Sequence, residues 1–564
     1  MQFANQSPES IAAVLGEALV SRGILDGVQL EYVRQKQVVS QQLLWRVLIQ
    51  EGLASEKEVV RVLSGILGIE FVDMDVLGDP DPAVVALFNR ELCLTSHFLP
   101  LRQQNAGQGK ELVILLGDSL PAEVAQIVLR RTGMRCGFAM GQFSRVTQFI
   151  RNTYHFAKNP PEKLVSLEIA RLADDRDHAY TPALLLDNLL HWAVRERATD
   201  IHITPGAKSL HVLFRIDGVL QPISALPLSL SRLLGYIKLI SEMDISEQRR
   251  PQDGSFRASV LDSPLTVRVS TLVTEFGERT VLRLLPESHD VKDLESLGFF
   301  PEDVEVVARA MASPVGLVLI TGPTGSGKSS TLHAGLRMQH LVERNVLTVE
   351  DPLEYRVPAA GQTEVNRRAG YDFSTALRHF LRHDPDVILV GEMRDAETAQ
   401  AALDAAATGH LVLSTLHVTT VFGVVPRLRP MGLLPQVIAE NLKLVINQRL
   451  VRRLCPLCME DVPFTPAECK WLGLPEGAMG KCAKGCARCR QTGFYGRLPL
   501  YELLVIDEKL ANAIADDVGR EAIRSLAYAN GFRTITEISR RRVALGHTTA
   551  EEVFRVTGEG PNRE

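Results

Sequence analysis

The stretch Val315–Leu336, VGLVLITGPTGSGKSSTLHAGL, reads as an apolar strand, a glycine-rich loop and a helix in immediate succession. It constrains the fold more than any other segment, because Gly322-x4-Gly327-Lys328-Ser329 matches the phosphate-loop pattern in the context that pattern requires. Backbone N–H groups from Gly325 to Ser329 can turn inward only where glycine tolerates the dihedrals, and the helix N-terminus adds positive potential. Gly322, Thr324, Gly325, Ser326, Gly327, Lys328, Ser329 and Ser330 are therefore the candidate nucleotide contacts. Lys328 is expected on the β/γ-phosphates and Ser329 on Mg²⁺.

Hydrolysis needs further groups. DPDVILVGEMRD is a second apolar strand, ending at Glu392, where an acid would meet the magnesium shell. NVLTVEDPLEY ends in Glu350, Asp351 and Glu354, and a carboxylate there could orient the attacking water. GHLVLSTLH ends a further strand with His417, within the class of groups that sense a γ-phosphate. Ligands of open α/β sheets bind at the carboxyl ends of the strands, so polar groups at four such ends imply one site.

Composition bounds the rest. The 564 residues imply three to five domains at about 150 residues each. With 45% hydrophobic and 23% charged residues the chain is ordinary globular material, and a net charge of −5 lacks the basic footprint of a nucleic-acid binder. The opening MQFANQSPESIAAVLGEALV has no basic region followed by an apolar one, and no run approaches the ~20 apolar residues of a membrane span. A cytoplasmic protein, touching membranes only through partners, is expected. A reducing compartment disfavours disulfides, yet six of the eight cysteines fall between Leu454 and Cys489. The pairs Cys455/Cys458 and Cys486/Cys489 have the spacing of a tetrahedral zinc site. Cys469 and Cys482 leave that choice open, since Cys482-x3-Cys486 could also supply ligands.

The N-terminus holds a repeat: Leu15–Leu30 aligns with Leu44–Val59 at an offset of 29 residues, each unit reading as a helix stopped by glycine and then a second helix. The expected organisation is an α/β multidomain chain. A helical subdomain spans 1–70, an α/β subdomain 71–155 and a polar linker 156–180. An antiparallel-sheet domain follows over 181–288, then a doubly wound nucleotide-binding core over 289–451, a cysteine module over 452–498 and a helical end over 499–564. Within the second piece, His97–Leu120 reads as strand, polar loop and strand, followed by a helix from Pro121.

These motifs in this order resemble the secretion-superfamily ATPases of type II secretion and type IV pilus assembly. GPTGSGKSSTL is similar to that family's Walker A box, VEDPLEY to its aspartate box, DPDVILVGEMRD to its Walker B box and TGHLVLSTLH to its histidine box. ATDIHITP, RIDGVL, RRPQDGSF and VRVSTLVTEFGERTVLRLL resemble the PAS-like domain before a RecA-like core, and CARCRQTGFYGRLPLYELL resembles the zinc module. The resemblance implies a homo-hexamer at the cytoplasmic face of the inner membrane. There, ATP hydrolysis drives a membrane platform that extrudes pilin or pseudopilin subunits, with an adaptor as a further partner. It implies Glu354 as the water-activating acid, Glu392 as the Walker B acid sharing Mg²⁺ with Ser329, and His417 as a phosphate sensor. Arg268 and Arg283 fall on arginine fingers, and Cys455, Cys458, Cys486 and Cys489 on the zinc tetrad. A retraction motor generally lacks the cysteine module; a non-hydrolysing scaffold would need a defective catalytic set. Ser255 stands where many relatives carry arginine. The repeats resemble a cyclic di-GMP-binding module, but Val14, Leu43 and Trp45 depart from its pattern, which favours adaptor docking.

Overall fold

The computed structural model describes residues 8–106, 109–173, 182–286, 292–339 and 341–561. The chain forms two compact units, one over 63–287 and one joining 7–62 to 288–564.

The first unit contains two sheets. A four-stranded sheet runs in the order Glu70–Phe71, Arg135–Met140, Gly109–Leu116, Phe98–Ala106. The last two strands pair antiparallel from Phe98↔Leu116 to Ala106↔Gly109, so the polar stretch expected as a loop is mostly strand. Its charges sit on a solvated ribbon, where alternation with an apolar partner face is enough to keep the pairing. The helix Pro121–Thr132 begins on a proline and ends on Gly133 at φ 71°, the left-handed conformation that glycine adopts without a Cβ clash.

The second sheet is six-stranded and antiparallel, in the order Val219–Pro227, Ser209–Ile216, Ala198–Pro205, Gly277–Pro286, Ser263–Thr274, Gln252–Val260. Strict alternation decides its faces. Ile201, Ile203, Val212, Phe214, Val267, Val269, Leu282 and Leu284 are buried in one core with Leu185, Leu189 and Ile237 from the helices Ala183–Arg195 and Arg232–Ile240. Residues between them point the other way. Within the stretch expected to link, Pro161–Ala173 is a helix whose Val165 is buried in that same core. Of the expected linker, 156–158 continue the helix Phe143–Lys158, and 174–180 lie outside the described residues.

The second unit is built on a seven-stranded sheet: Gly361–Glu364, Val346–Glu350, Val387–Val390, Leu411–Leu416, Gly316–Thr321, Leu442–Leu454, Phe494–Val505. All neighbours are parallel except the final pair. The strand Gly316–Thr321 is buried throughout, as expected for a central parallel strand covered by helices on both faces.

The N-terminal repeat is real in three dimensions. Gly23 and Gly52 end helices at φ 69° and 72°. Ile24 N–H and Leu53 N–H then reach back to the carbonyls of Leu19 and Leu48 at 3.0 and 3.1 Å. Asp26 and Gln29 form a capping box at the next helix, and Ser55 with Glu58 repeats it one unit later. That second box also meets the nucleotide-binding core. Arg337, in the last turn of the helix after the phosphate loop, donates to the Gly52 carbonyl at 3.2 Å and pairs with Glu58 at 3.4 Å. Ser55 donates to Asp293, which caps the helix Leu294–Leu297.

Candidate active site and cysteine centre

The phosphate loop is held by a polar layer inside an apolar sheet. Gly322, Gly325 and Gly327 take φ values of 140°, 78° and 86°. A Cβ on Gly322 would lie 2.4 Å from the Gln448 carbonyl and 2.7 Å from Ser326 Oγ, so only glycine lets the loop close there. Gln448, on the neighbouring strand, donates from Nε2 to the Ser326 carbonyl at 2.7 Å and accepts from Thr331 Oγ1 at 2.9 Å. One buried amide thus clamps loop to helix. Asn447 beside it donates to Thr321 Oγ1 at 2.9 Å. Ser326 Oγ is buried without a protein partner, a donor suited to an oxygen-rich ligand.

Lys328 Nζ donates to the carbonyls of Gly322 and Pro323, each at 3.1 Å. Burial holds its ammonium below the ordinary lysine range, while the Glu392 and Glu354 carboxylates pull in the opposite direction. The two acids and the lysine therefore share one electrostatic site. Glu392 follows the strand Val387–Val390 and His417 follows the adjacent strand Leu411–Leu416, and their side chains approach to 3.5 Å. Arg394 pairs with the other oxygen of Glu392 at 2.7 Å. Glu354 is exposed beside the loop, and Tyr355 after it lies 3.2 Å from Ser330 Oγ.

Beneath them Glu350 is buried. Its Oε1 accepts from Thr348 Oγ1 at 3.0 Å and from Gln362 Nε2 at 3.3 Å. Its Oε2 stands 3.1 Å from His333 Nε2, out of line for a good hydrogen bond, so the contact is chiefly ionic. His333 Nδ1 donates to the Ser329 carbonyl at 2.9 Å. Burial opposes a charged His333 ring, but Glu350 and that carbonyl outweigh it and hold the imidazole above its usual range. His333, Gln448 and Asn447 are absent from the sequence-based set. Their only signal is a polar residue inside an apolar run, which names no partner.

Arg268 and Arg283 belong to the other unit, where they sit opposite each other on adjacent strands. Both are exposed.

The four expected cysteine sulfurs converge. Cys455, Cys458, Cys486 and Cys489 place their Sγ atoms within 4.8 Å of one another, with close pairs at 3.7, 3.7 and 3.9 Å. Zinc bound at about 2.3 Å in a tetrahedron spaces its sulfurs by about 3.8 Å, whereas a disulfide needs about 2.05 Å. The donor set fits zinc. Backbone N–H groups of Cys486 and Gly493 reach Cys489 Sγ at 3.1 and 3.2 Å, which stabilises a thiolate. Cys469 is directed instead to the Phe464 carbonyl, and Cys482 lies on the strand Met479–Ala483 outside the cluster.

A phosphate loop at the centre of a parallel sheet, with Glu392 and His417 meeting at the ends of two adjacent strands, defines a P-loop ATPase. Residues 174–555 match the family described as Type II/IV secretion system protein, and the chain belongs to that family of secretion and pilus-assembly ATPases. It is 36% identical over 534 residues to a type IV pilus assembly ATPase of Thermus thermophilus, covering 91% of this chain and 59% of that one. Against a type II secretion system protein E of Pseudomonas aeruginosa it is 41% identical over 406 residues, covering 70% and 81%. Against one of Pectobacterium carotovorum it is 43% identical over 377 residues, covering 66% and 75%. No helix among the described residues is long and apolar enough to cross a membrane.

Proposed function

We propose that the chain works as a homo-hexamer whose ATP hydrolysis drives assembly of a type IV pilus or a type II secretion pseudopilus through an inner-membrane platform and an adaptor. The observation that carries the enzymatic part is the glycine-shaped phosphate loop, with Lys328 held against its carbonyls and Glu392 meeting His417 at the ends of two adjacent strands. Names of relatives from both kinds of machine support the mechanical part.

In this reading the loop N–H groups and Lys328 bind the β/γ-phosphates. Glu354 takes the proton of the attacking water, and its exposure beside the loop suits a group that must meet solvent. Ser329 and Glu392 would hold Mg²⁺, which neutralises phosphate charge when bound. His417 against Glu392 links that acid to the next strand, so a change at the γ-phosphate can pass between strands. Arg268 and Arg283 complete the site of a neighbouring copy. Cys455, Cys458, Cys486 and Cys489 hold structural zinc. The helical repeats dock the adaptor.

Lys328→Ala is expected to lower kcat at least about a hundredfold in assembled protein, because the lysine's charge serves the transition state. Malachite-green phosphate release on size-selected oligomers measures it, and wild-type turnover would end this reading.

A further inference from the structure

The outer face of the six-stranded sheet carries a row of residues that sequence separation hides. Strand register sets Arg215 opposite Asp200, Asp200 opposite Arg283, Arg283 opposite Arg268 and Arg268 opposite Ser255. Directly opposed residues share a face, so five neighbouring strands contribute one line of side chains. Three guanidinium groups stand there against one carboxylate. Asp200 is nearly buried, with its side chain 6% exposed, while Arg283 is 60% exposed.

The way Asp200 holds Arg283 matters. Its Oδ1 accepts from Arg283 Nε at 3.1 Å. Its Oδ2 accepts from Thr199 Oγ1 at 2.7 Å and lies 3.6 Å from Arg215 Nε. A guanidinium has five donors, and one gripped through Nε still has those of both terminal nitrogens to offer. Those two nitrogens form the fork that fits phosphate oxygens. Asp200 is itself fixed from both sides, so the fork is held at a set height above the sheet.

We propose that Asp200 is a positioning residue for Arg283: it stations the guanidinium so that its free fork meets the polyphosphate bound by a second copy of this chain. The role rests on the reading of Arg283 as a trans-acting arginine. Asp200 touches no nucleotide; it acts through Arg283. Loss of the carboxylate leaves an exposed, freely rotating arginine whose charge is present but whose place is not.

The test uses the full-length chain in its assembled state, with kcat, KM and affinity for a fluorescent ATP analogue measured on each variant. Asp200→Asn, close in shape but uncharged, is expected to lower kcat about tenfold with KM within about twofold, since misplacing a catalytic group by about 1 Å costs up to about a hundredfold. Arg283→Ala is expected to lower kcat about a thousandfold. The double variant should match Arg283→Ala alone, because a residue acting only through another adds nothing once that one is gone. Asp200→Glu keeps the charge and should retain more turnover than Asp200→Asn. An unchanged kcat in Asp200→Asn, multiplicative losses in the double variant, or a Glu variant no faster than the Asn variant would each overturn the positioning role. Should the Asn variant fail to assemble, a Glu variant as slow as Arg283→Ala overturns it instead. Wild-type turnover in Arg283→Ala is a different failure: it removes the trans-acting reading itself.

Discussion

Gln448 shows how little of a site's support is visible at the level of single residues. Its amide ties the phosphate loop to the following helix, across 122 and 117 residues of sequence. In the sequence it is one of three polar letters in LVINQRLV. The loop glycines were legible because their dihedral needs are local; the clamp was not, because its partners are set by strand order. His333 is similar. Its contact with Glu350 buries both side chains, at 2% and 6% exposure. His333→Phe would leave that carboxylate with only Thr348 and Gln362, and breaking a buried pair from one side costs about 3–5 kcal/mol. A fall of that size in the denaturant-extrapolated stability is the expected result. A variant as stable as the parent would show that the His333–Glu350 contact contributes nothing to the fold.

Elements carry the next set of consequences. The repeat was readable because glycine stops and capping boxes recur at a fixed offset, each satisfied within a few residues. The two strands expected within residues 97–120 run further into the polar stretch between them, and Pro161–Ala173 forms a helix inside the expected linker, since a half-exposed edge hairpin and a helix with one buried stripe carry weak patterns. The cysteine spacing picked out the four sulfurs that converge, and Cys469 and Cys482 lie outside that cluster. Replacing Cys486 and Cys489 by serine should release about one zinc per chain on elemental analysis and destabilise the module. The C-terminal helix Ala550–Thr557 gives a pH prediction. Glu552 lies on it with its side chain fully buried, paired with Arg555 at 2.6 Å and with Arg452 of the long strand at 2.8 Å. Burial alone would raise its pKa; the hydrogen bonds of Arg555 and Arg452 outweigh it and hold the carboxyl below the ordinary glutamate value. A depressed folded-state pKa contributes stability above the unfolded value near 4.5 and loses it as pH falls through the folded one. Melting temperature should therefore drop below about pH 4.5 in the parent. Glu552→Gln should be less stable at neutral pH and show a shallower acid limb.

Across the whole molecule the fold class and the order of motifs were legible because the nucleotide core is built from strong local signals. Pairing between distant segments was not. The contact of Gly52 and Glu58 with Arg337 joins positions 285 and 279 residues apart, and neither sequence segment announces it. Arg337→Ala should loosen the helical repeats from the core by about 1–2 kcal/mol, the net worth of a partly buried hydrogen-bonded pair. Faster amide hydrogen exchange over residues 44–62, with the central sheet unchanged, is the expected readout.

That contact lies at a telling place. Lys328 opens and Arg337 closes the same ten-residue helix, a rod of about 15 Å. The phosphate loop leads into one end, and a separate folded element grips the other. Linkage is symmetric: by whatever factor bound nucleotide strengthens or weakens the grip, the grip strengthens or weakens nucleotide binding. Thermodynamically, the helical repeats are a second ligand of the phosphate-loop helix, one that is tethered and always present at high effective concentration. If bound nucleotide alters that grip, loosening the repeats alters the ATP affinity of the core by the same factor, without any group approaching the nucleotide.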